Sequence, residues 1–407
     1  MPFRPAKKQK SFKAQNKVWK ESFFAPGATR IFHSPILLSL FMNEQELRYS
    51  IALTLVPGIG PVLAKKLLDH FGSAEEVFRK IQSSPQIIQG ISAKIRQAFL
   101  EFNGFEKAEE EVMFLRKNNI QAIGFYDENY PYRLRRNRDA PLLLYFKGSA
   151  NLNHHRIISM VGTRRCTEYG ISFCKKFISE LVKYRCHVIS GLAYGIDIQS
   201  HKAALNHGIC TIGVVAHGLD ELYPAAHRET ANKMIKNGGI LTEYPTNTAP
   251  KRENFPSRNR IVAGLCDATI IVESEKKGGA MITAQLAGSY NRDVFAVPGR
   301  CSDPRSAGPN DLIRNNMAGL LESADDLAHY MNWDIEQNTP DLLSKASELN
   351  ETEQKIAALF TIREQWHIDE LYAQTGISAG DLSLTLLELE LKGKIKTLAG
   401  NLCRWQP

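Results

Sequence analysis

Residues 156–197 read RIISMVGTRRCTEYGISFCKKFISELVKYRCHVISGLAYGID, and their alternation decides the fold. Ile157–Val161 is an apolar run broken only by Ser159, as suits a strand covered on both faces. Ile171–Tyr184 repeats its apolar residues at helical spacing. Val188–Ser190 is a second short apolar run, and Gly191 and Gly195 bracket the turn that follows it. A strand, a crossover helix and a second strand make a βαβ unit, which builds a parallel sheet by right-handed crossovers.

The same alternation continues outward. Strand character recurs at Thr211–Ala216, Gly239–Glu243, Thr269–Val272 and Val294–Val297. Helical spacing recurs at Ile198–Asn206, Glu229–Lys236, Asn259–Leu265 and Ala280–Ser289. The expected fold class is therefore α/β: a mostly parallel, Rossmann-like sheet over residues 121–320, with helices on both faces. Ligands of such sheets sit at the C-terminal strand ends. Residues 42–120 read as a small helical domain, with turns at Pro57-Gly58-Ile59-Gly60, Phe71-Gly72-Ser73 and Ser83-Ser84-Pro85. Residues 321–353 set nine acids against Lys345 and read as a solvated linker. Residues 354–407 read as a compact helical end closed by a hairpin.

The formal net charge of the 407-residue chain is +8, which invites a nucleic-acid reading. Residues 1–41 carry eight cations against Glu21, a net +7, leaving +1 for everything after them. A DNA argument must then rest on local patches. The basic leader reads as an over-long start or a disordered segment. A presequence is the other reading, and it lacks a small-residue cleavage site. Seven cysteines without a C-x-x-C pair suit buried thiols in a reducing compartment. No apolar run approaches the length of a membrane span.

Several strand-end turns carry anion-binding chemistry. Gly162-Thr163-Arg164 offers backbone N–H groups beside a helix dipole, and a guanidinium suited to a phosphate. Ser190 and Gly191 stand at the end of the next strand, where Asp197 is the helix cap. The segment from Lys251 to Arg260 holds Lys251, Arg252, Arg258 and Arg260 against Glu253. On a helix Arg258 and Arg260 point roughly 200° apart, so one is expected to face the cleft and the other a structural partner. Gly278 and Gly279 open another strand-to-helix turn. None of these is G-x-G-x-x-G, so a dinucleotide site gains no support. His201, His207, His217, His227 and Cys210 fit no usual metal spacing.

Four runs carry a resemblance: Ser190-Gly191-Leu192-Ala193-x-Gly195-Ile196-Asp197, Gly218-Leu219-Asp220-x-x-Tyr223-Pro224, Phe255-Pro256-x-Arg258-Asn259-Arg260-Ile261-Val262-Ala263-Gly264-Leu265, and Val294-Phe295-Ala296-Val297-Pro298-Gly299. In this order they resemble the DprA (Smf) family of DNA-processing proteins. That resemblance implies sequence-independent binding of single-stranded DNA, loading of RecA recombinase in natural transformation, a homodimer, a cytoplasmic location, no cofactor and no catalysis. It implies DNA contacts at Gly162, Thr163, Arg164, Ser190, Gly191, Arg258, Asn259, Arg260, Gly278 and Gly279. Lys251 and Arg252, with Gly58 and Gly60, form a second candidate set. The turn Gly162-Thr163-Arg164 departs from the family's Gly-Ser-Arg but keeps a hydroxyl. Ala225 and His227 stand where the family often has Lys and Asn, which leaves Arg228 to supply a cation.

The flanking parts resemble a SAM-like helix-hairpin-helix domain at Val56–Leu68 and a winged helix at the C-terminus. The hairpin has two readings, a phosphate contact or a purely architectural turn. The winged helix's second helix, Asp381–Lys392, sets Asp381, Glu388 and Glu390 against Lys392, which favours a protein partner over a major groove. The rival functions are a nucleotide-sensing module and a nucleoside monophosphate hydrolase. The hydrolase reading fails at Gly278-Gly279-Ala280-Met281-Ile282-Thr283-Ala284-Gln285, where no carboxylate stands in the acid/base position.

Overall fold

A computed structural model describes residues 43–83, 92–333, 349–360, 363, 365–398 and 402–405. The basic leader, Ser84-Pro85 and, within the acidic linker, residues 334–348, including Lys345, lie outside them. The chain divides into two compact units: one runs to Ser179 and resumes from Cys186 to Glu322, the other comprises Glu180–Arg185 and Ser323 onward.

The first unit begins with five helices, α1 (Glu44–Leu55), α2 (Pro61–Phe71), α3 (Ala74–Ser83), α4 (Ala93–Leu100) and α5 (Phe105–Lys117). Asn43 caps α1 by accepting from the Glu46 N–H at 2.8 Å. The apolar stripes of these helices close over Ile51, Leu53, Phe78, Ile81, Phe99 and Val112. Phe78 meets the rings of Phe99, Phe102 and Phe105 at centroid distances of 4.9–5.4 Å. This core is continuous with Leu142, Leu143 and Tyr145 of the sheet. Lys65 Nζ donates to the carbonyls of Arg138 and Ala140 at 2.9 and 3.0 Å. Buried Glu111 accepts from the Thr246 N–H at 2.8 Å and from its hydroxyl. Hydrophobic burial and these four side-chain hydrogen bonds thus fuse helices and sheet.

The sheet follows: β1 (Gln121–Gly124), α6 (Tyr132–Arg135), β2 (Leu143–Gly148), β3 (Ile157–Val161), α7 (Glu168–Leu181), β4 (His187–Ser190), α8 (Ile196–Asn206), β5 (Thr211–Val214), α9 (Arg228–Lys236), β6 (Gly238–Thr242), α10 (Asn254–Leu265), β7 (Ala268–Ile271), α11 (Gly279–Ser289), β8 (Asp293–Ala296), α12 (Ala307–Arg314) and β9 (Gly319–Leu320). The strand order is β1-β2-β6-β5-β4-β3-β7-β8-β9. From β6 to β9 every pairing is parallel, whereas β1–β2 and β2–β6 are antiparallel. The expected α/β class holds, with an antiparallel edge the sequence reading did not contain. The chain winds outward from β3 in one direction through β6, then returns to the other side of β3 with β7. That reversal opens a crevice beyond the C-terminal ends of β3 and β7.

The other ends of β3 and β7 are tied by Arg133, which is 1% exposed. Its Nε and Nη2 donate to the two Asp267 carboxylate oxygens at 2.6 and 2.8 Å. It also donates to the carbonyls of His154 and His155 at 2.8 and 3.0 Å, and Asp267 accepts from the Ile157 N–H at 3.0 Å.

The second unit contains helices Ala324–Tyr330, Glu351–Phe360, Ile368–Thr375 and Ala379–Leu391. The stretch read as a solvated linker is therefore partly helical, because Ser323 and Asp326 form a reciprocal capping box. Strands Gln365–His367, Ile395–Leu398 and Leu402–Trp405 form a three-stranded antiparallel sheet over a core of Ile356, Trp366, Leu371, Leu389 and Cys403. This is the expected winged helix. Lys392, the cation of its second helix, is held at 2.6 Å by Glu353, which is fully buried. The face of that helix therefore keeps its acidic balance.

Candidate nucleic-acid interface

The turn leaving β3 is pinned by the strand beside it. The Thr163 N–H donates to the Glu273 carbonyl at 2.7 Å. The Glu273 carboxylate, with no exposed surface, accepts from the Thr167 N–H at 2.9 Å and from the Thr167 hydroxyl. Thr163 Oγ1 accepts from the Arg165 N–H at 3.2 Å, and its carbonyl accepts from the Ile196 N–H at 3.2 Å. With its neighbours fixed, Arg164 is carried on a rigid turn and stands exposed.

Gly195 makes this possible. Its φ is +79°, and a Cβ there would lie 2.1 Å from the Thr163 carbonyl oxygen. Only glycine accepts both the conformation and the approach.

Beneath Arg164 lies a cleft of about 860 Å³, at the switch point between β3 and β7. Gly162, Thr163, Arg164, Gly191, Arg258, Asn259, Gly278 and Gly279 line it, eight of the ten primary candidates. Arg252, from the second set, lines it as well. α11 begins at its wall with no side-chain cap on its N-terminal N–H groups, so the positive end of that helix faces the cleft.

Two primary candidates fall elsewhere. Ser190 is fully buried, and its hydroxyl donates to the Met160 carbonyl at 2.6 Å; it binds β4 to β3 rather than facing the cleft. Arg260 donates to the Asp139 carbonyl and pairs with Glu243, with 12% of its side chain exposed. The opposed directions of the two helix arginines thus separate them: Arg258 lines the cleft and Arg260 is structural. Lys251 and Arg228 are exposed outside the cleft lining. Gly58 and Gly60 occupy the exposed turn between α1 and α2.

Arg258 forms the floor. It is 5% exposed, donates from Nη1 to the Val214 carbonyl at 2.5 Å and from Nε to Asn259 Oδ1 at 3.1 Å. Its Nη2 has no hydrogen bond among the described residues. Asp197, 7% exposed, shares the space: a Cβ on Gly191 would lie 2.2 Å from Arg258 Nη1 and 2.3 Å from Asp197 Oδ2. Burial pushes the Asp197 carboxyl above its ordinary pKa and pulls the Arg258 guanidinium below its own, and each charge opposes the shift of the other. A phosphate in the cleft would give Arg258 a further counter-charge. Asp197 accepts at 3.4 Å from the N–H of Ala193, which precedes α8. It is not the expected cap, because it stands inside the helix, whose N-cap is Gly195 with no side-chain bond.

The guanidinium carbon of Arg164 sits 5.1 Å from the centre of the Phe255 ring. Tyr194 and Tyr223 stand close by, about half exposed, beside the same small recess. Glu273 was not among the expected residues. Its only signal in the sequence is an acid closing the apolar run that ends at Val272. Among the described residues no cluster of His, Cys, Asp or Glu is arranged to hold a metal ion, and no helix is long and apolar enough to cross a membrane.

A buried histidine braces the β4 turn from behind. His201 Nε2 lies 2.6 Å from the Gly191 carbonyl and Nδ1 2.7 Å from Thr211 Oγ1. Burial brings its pKa down to about 4. The neutral tautomer serves both partners, with Nε2–H donating and Nδ1 accepting. The unfolded chain takes up this proton near pH 6.5, so the contribution is complete above that value and is lost as pH falls toward 4. Between pH 7 and pH 5 His201 is expected to remove on the order of 2 kcal/mol of stability. Urea unfolding of wild type and His201→Gln at both pH values checks this. A pH dependence identical in the two proteins would refute it.

Comparison with known proteins adds three sequence matches. Residues 121–332 match the family "DNA recombination-mediator protein A", residues 340–401 the "DprA winged helix domain", and residues 50–101 the "SAM-like Helix-hairpin-helix tandem". Protein Smf of Synechocystis sp. is 31% identical over 399 residues, 88% of this chain and 98% of its own. DNA processing protein DprA of Bacillus subtilis is 39% identical over 217 residues, 52% of this chain and 71% of its own. The solved structure of DNA processing protein A from Streptococcus pneumoniae covers 67% of this chain and 98% of its own, at a TM-score of 0.51 and 30% identity.

Proposed function

The chain belongs to the DNA recombination-mediator protein A family, whose relatives are called DprA or Smf, and from that premise we propose that its β3–β7 cleft binds single-stranded DNA by the backbone. One observation carries the reading. Arg164, Arg252, Arg258 and the N-terminus of α11 converge on a single cleft at the sheet's switch point. Guanidinium groups and helix N-termini are phosphate donors and do not read sequence.

Tyr194, Tyr223 and Phe255 beside Arg164 offer faces for unpaired bases. Base faces are free in a single strand and covered by neighbouring bases in a duplex, which sets the preference. The cleft acts as a holder. We propose no reaction there and no cofactor. Family membership further supports RecA loading, a homodimer and a cytoplasmic site of action as parts of this proposal.

Backbone hydrogen exchange of the protein alone, with a thymidine oligonucleotide and with a duplex of equal length tests the reading. The single strand is expected to slow exchange at residues 162–167 and 278–283. Stronger protection by the duplex, or protection only outside these segments, would overturn it.

A further inference from the structure

A second cleft, of about 600 Å³, lies at the other end of α11. Residues at the start of α11 line the first cleft, and Tyr290 and Arg292, just past its end, line the second. The helix has 11 residues, so the two sites stand about 16 Å apart along its axis.

The second cleft gathers Arg136, Arg138 and Arg292 around Asn137, with Asp139 as its acid. Arg136 and Arg138 are exposed and have no ion pair among the described residues. The Asp139 carboxylate is already occupied by the Tyr290 hydroxyl at 2.7 Å. Three guanidiniums therefore face one engaged carboxylate.

Two buried donors there lack acceptors. Asn137 is 6% exposed, and its Nδ2 has no hydrogen-bond partner. Arg292 Nη2 donates to the Arg133 carbonyl at 2.7 Å, but its Nε has no partner. Both nitrogens are closed off from solvent, and Asn137 Nδ2 lies against Gly264, so the donors an arriving anion meets first are the exposed Arg136 and Arg138.

Val62, the second residue of α2, lines the same cleft. α2 starts from Gly60 with no side-chain cap and no acid in its first turn, so its N-terminal N–H groups face the rim uncompensated. We propose that this cleft is a second binding site for the sugar-phosphate backbone of a nucleic acid, built from Arg136, Arg138 and Arg292 beside the start of α2 at Val62. Its donors are those that phosphate oxygens take, and its two exposed arginines open it to a chain passing through. The proposal rests on the first cleft binding single strands where it uses the short oligomer as a control.

The test uses the full chain with Arg136→Gln and Arg138→Gln combined. The probes are a thymidine oligomer of about 3 nucleotides, too short to reach from one cleft to the other, and one of about 40, long enough for both. The double variant is expected to bind the long oligomer about tenfold more weakly, with a salt slope shallower by about 1.4 for two lost contacts. Binding of the short oligomer and thermal unfolding are expected to stay as in wild type. Retained long-strand affinity in Arg138→Lys is expected too, since the charge is kept. Unchanged affinity and slope for the long oligomer would overturn the proposal, as would an equal loss with the short one. Loss of inorganic phosphate binding alone, with long DNA unaffected, would overturn the backbone assignment. If Arg164→Ala leaves the short oligomer unaffected while the double variant loses the long one, the first cleft's reading falls and this one stands.

Discussion

Replacing Arg133 by methionine is expected to destabilise the first unit by about 3–5 kcal/mol, the largest stability effect of any single change proposed here. The side chain is 1% exposed and makes four described hydrogen bonds, two of them to Asp267. Methionine matches its length but leaves the Asp267 carboxylate and two carbonyls without their donor. Breaking one side of a buried pair strands the other charge, and that is what makes such losses large. The pair also fixes where β3 and β7 start, through the Asp267 bond to the Ile157 N–H. At roughly 2–4 °C per kcal/mol for a unit of this size, the melting temperature should fall by about 10 °C. Calorimetry of Arg133→Met beside Asp267→Asn checks the account; a shift below about 2 °C would contradict it.

The parts of the fold that were legible in the sequence are those where burial is complete. β3 to β7 are buried almost throughout, so each run announced its strand, and in β8 the buried Phe295 and Ala296 did so. β2, Leu143–Gly148, opens on a buried apolar run and is paired on both sides, but the alternation of strands and helices did not single it out. β1 was not legible for a different reason. Gln121–Gly124 is four residues long at the sheet edge, with Gln121 exposed, and a strand paired on one side needs no apolar signature. Helix α10 begins at Asn254, five residues before the expected start, because Pro256 is compatible with a first turn and the charged run hid the helical period.

At the site, glycines and arginines at strand ends were readable because phosphate turns need those residue types. Direction was not readable. Ser190 and Gly191 are adjacent at the end of β4, yet Ser190 points into the sheet and Gly191 into the cleft, as alternation along a strand requires. Glu273 escaped notice because its partners, Thr163 and Thr167, lie more than a hundred residues earlier in the chain and meet it only through the β3–β7 pairing.

The central functional claim makes Arg164 the decisive residue. Arg258 is a poor probe, since removing it would leave Asp197 buried beside an empty space and confuse stability with binding. Arg164 is exposed, its turn is held by backbone and by Thr163 and Thr167, and its described side-chain contact is the Phe255 ring. Arg164→Ala should therefore leave unfolding within about 0.5 kcal/mol of wild type. It removes one charge-assisted phosphate contact, and about 1–2 kcal/mol of affinity with it, a loss of roughly tenfold. Because the contact is to the backbone, the loss should be the same for oligonucleotides of different sequence.

The measurement that tests this most directly is fluorescence anisotropy of a labelled single strand against wild type and Arg164→Ala across a series of salt concentrations. The account predicts binding that weakens steeply with salt, a roughly tenfold weaker variant, and a salt slope shallower by about 0.7 for the one contact removed. Equal affinities and parallel salt lines in two equally folded proteins would contradict it, and would place the DNA outside the β3–β7 cleft.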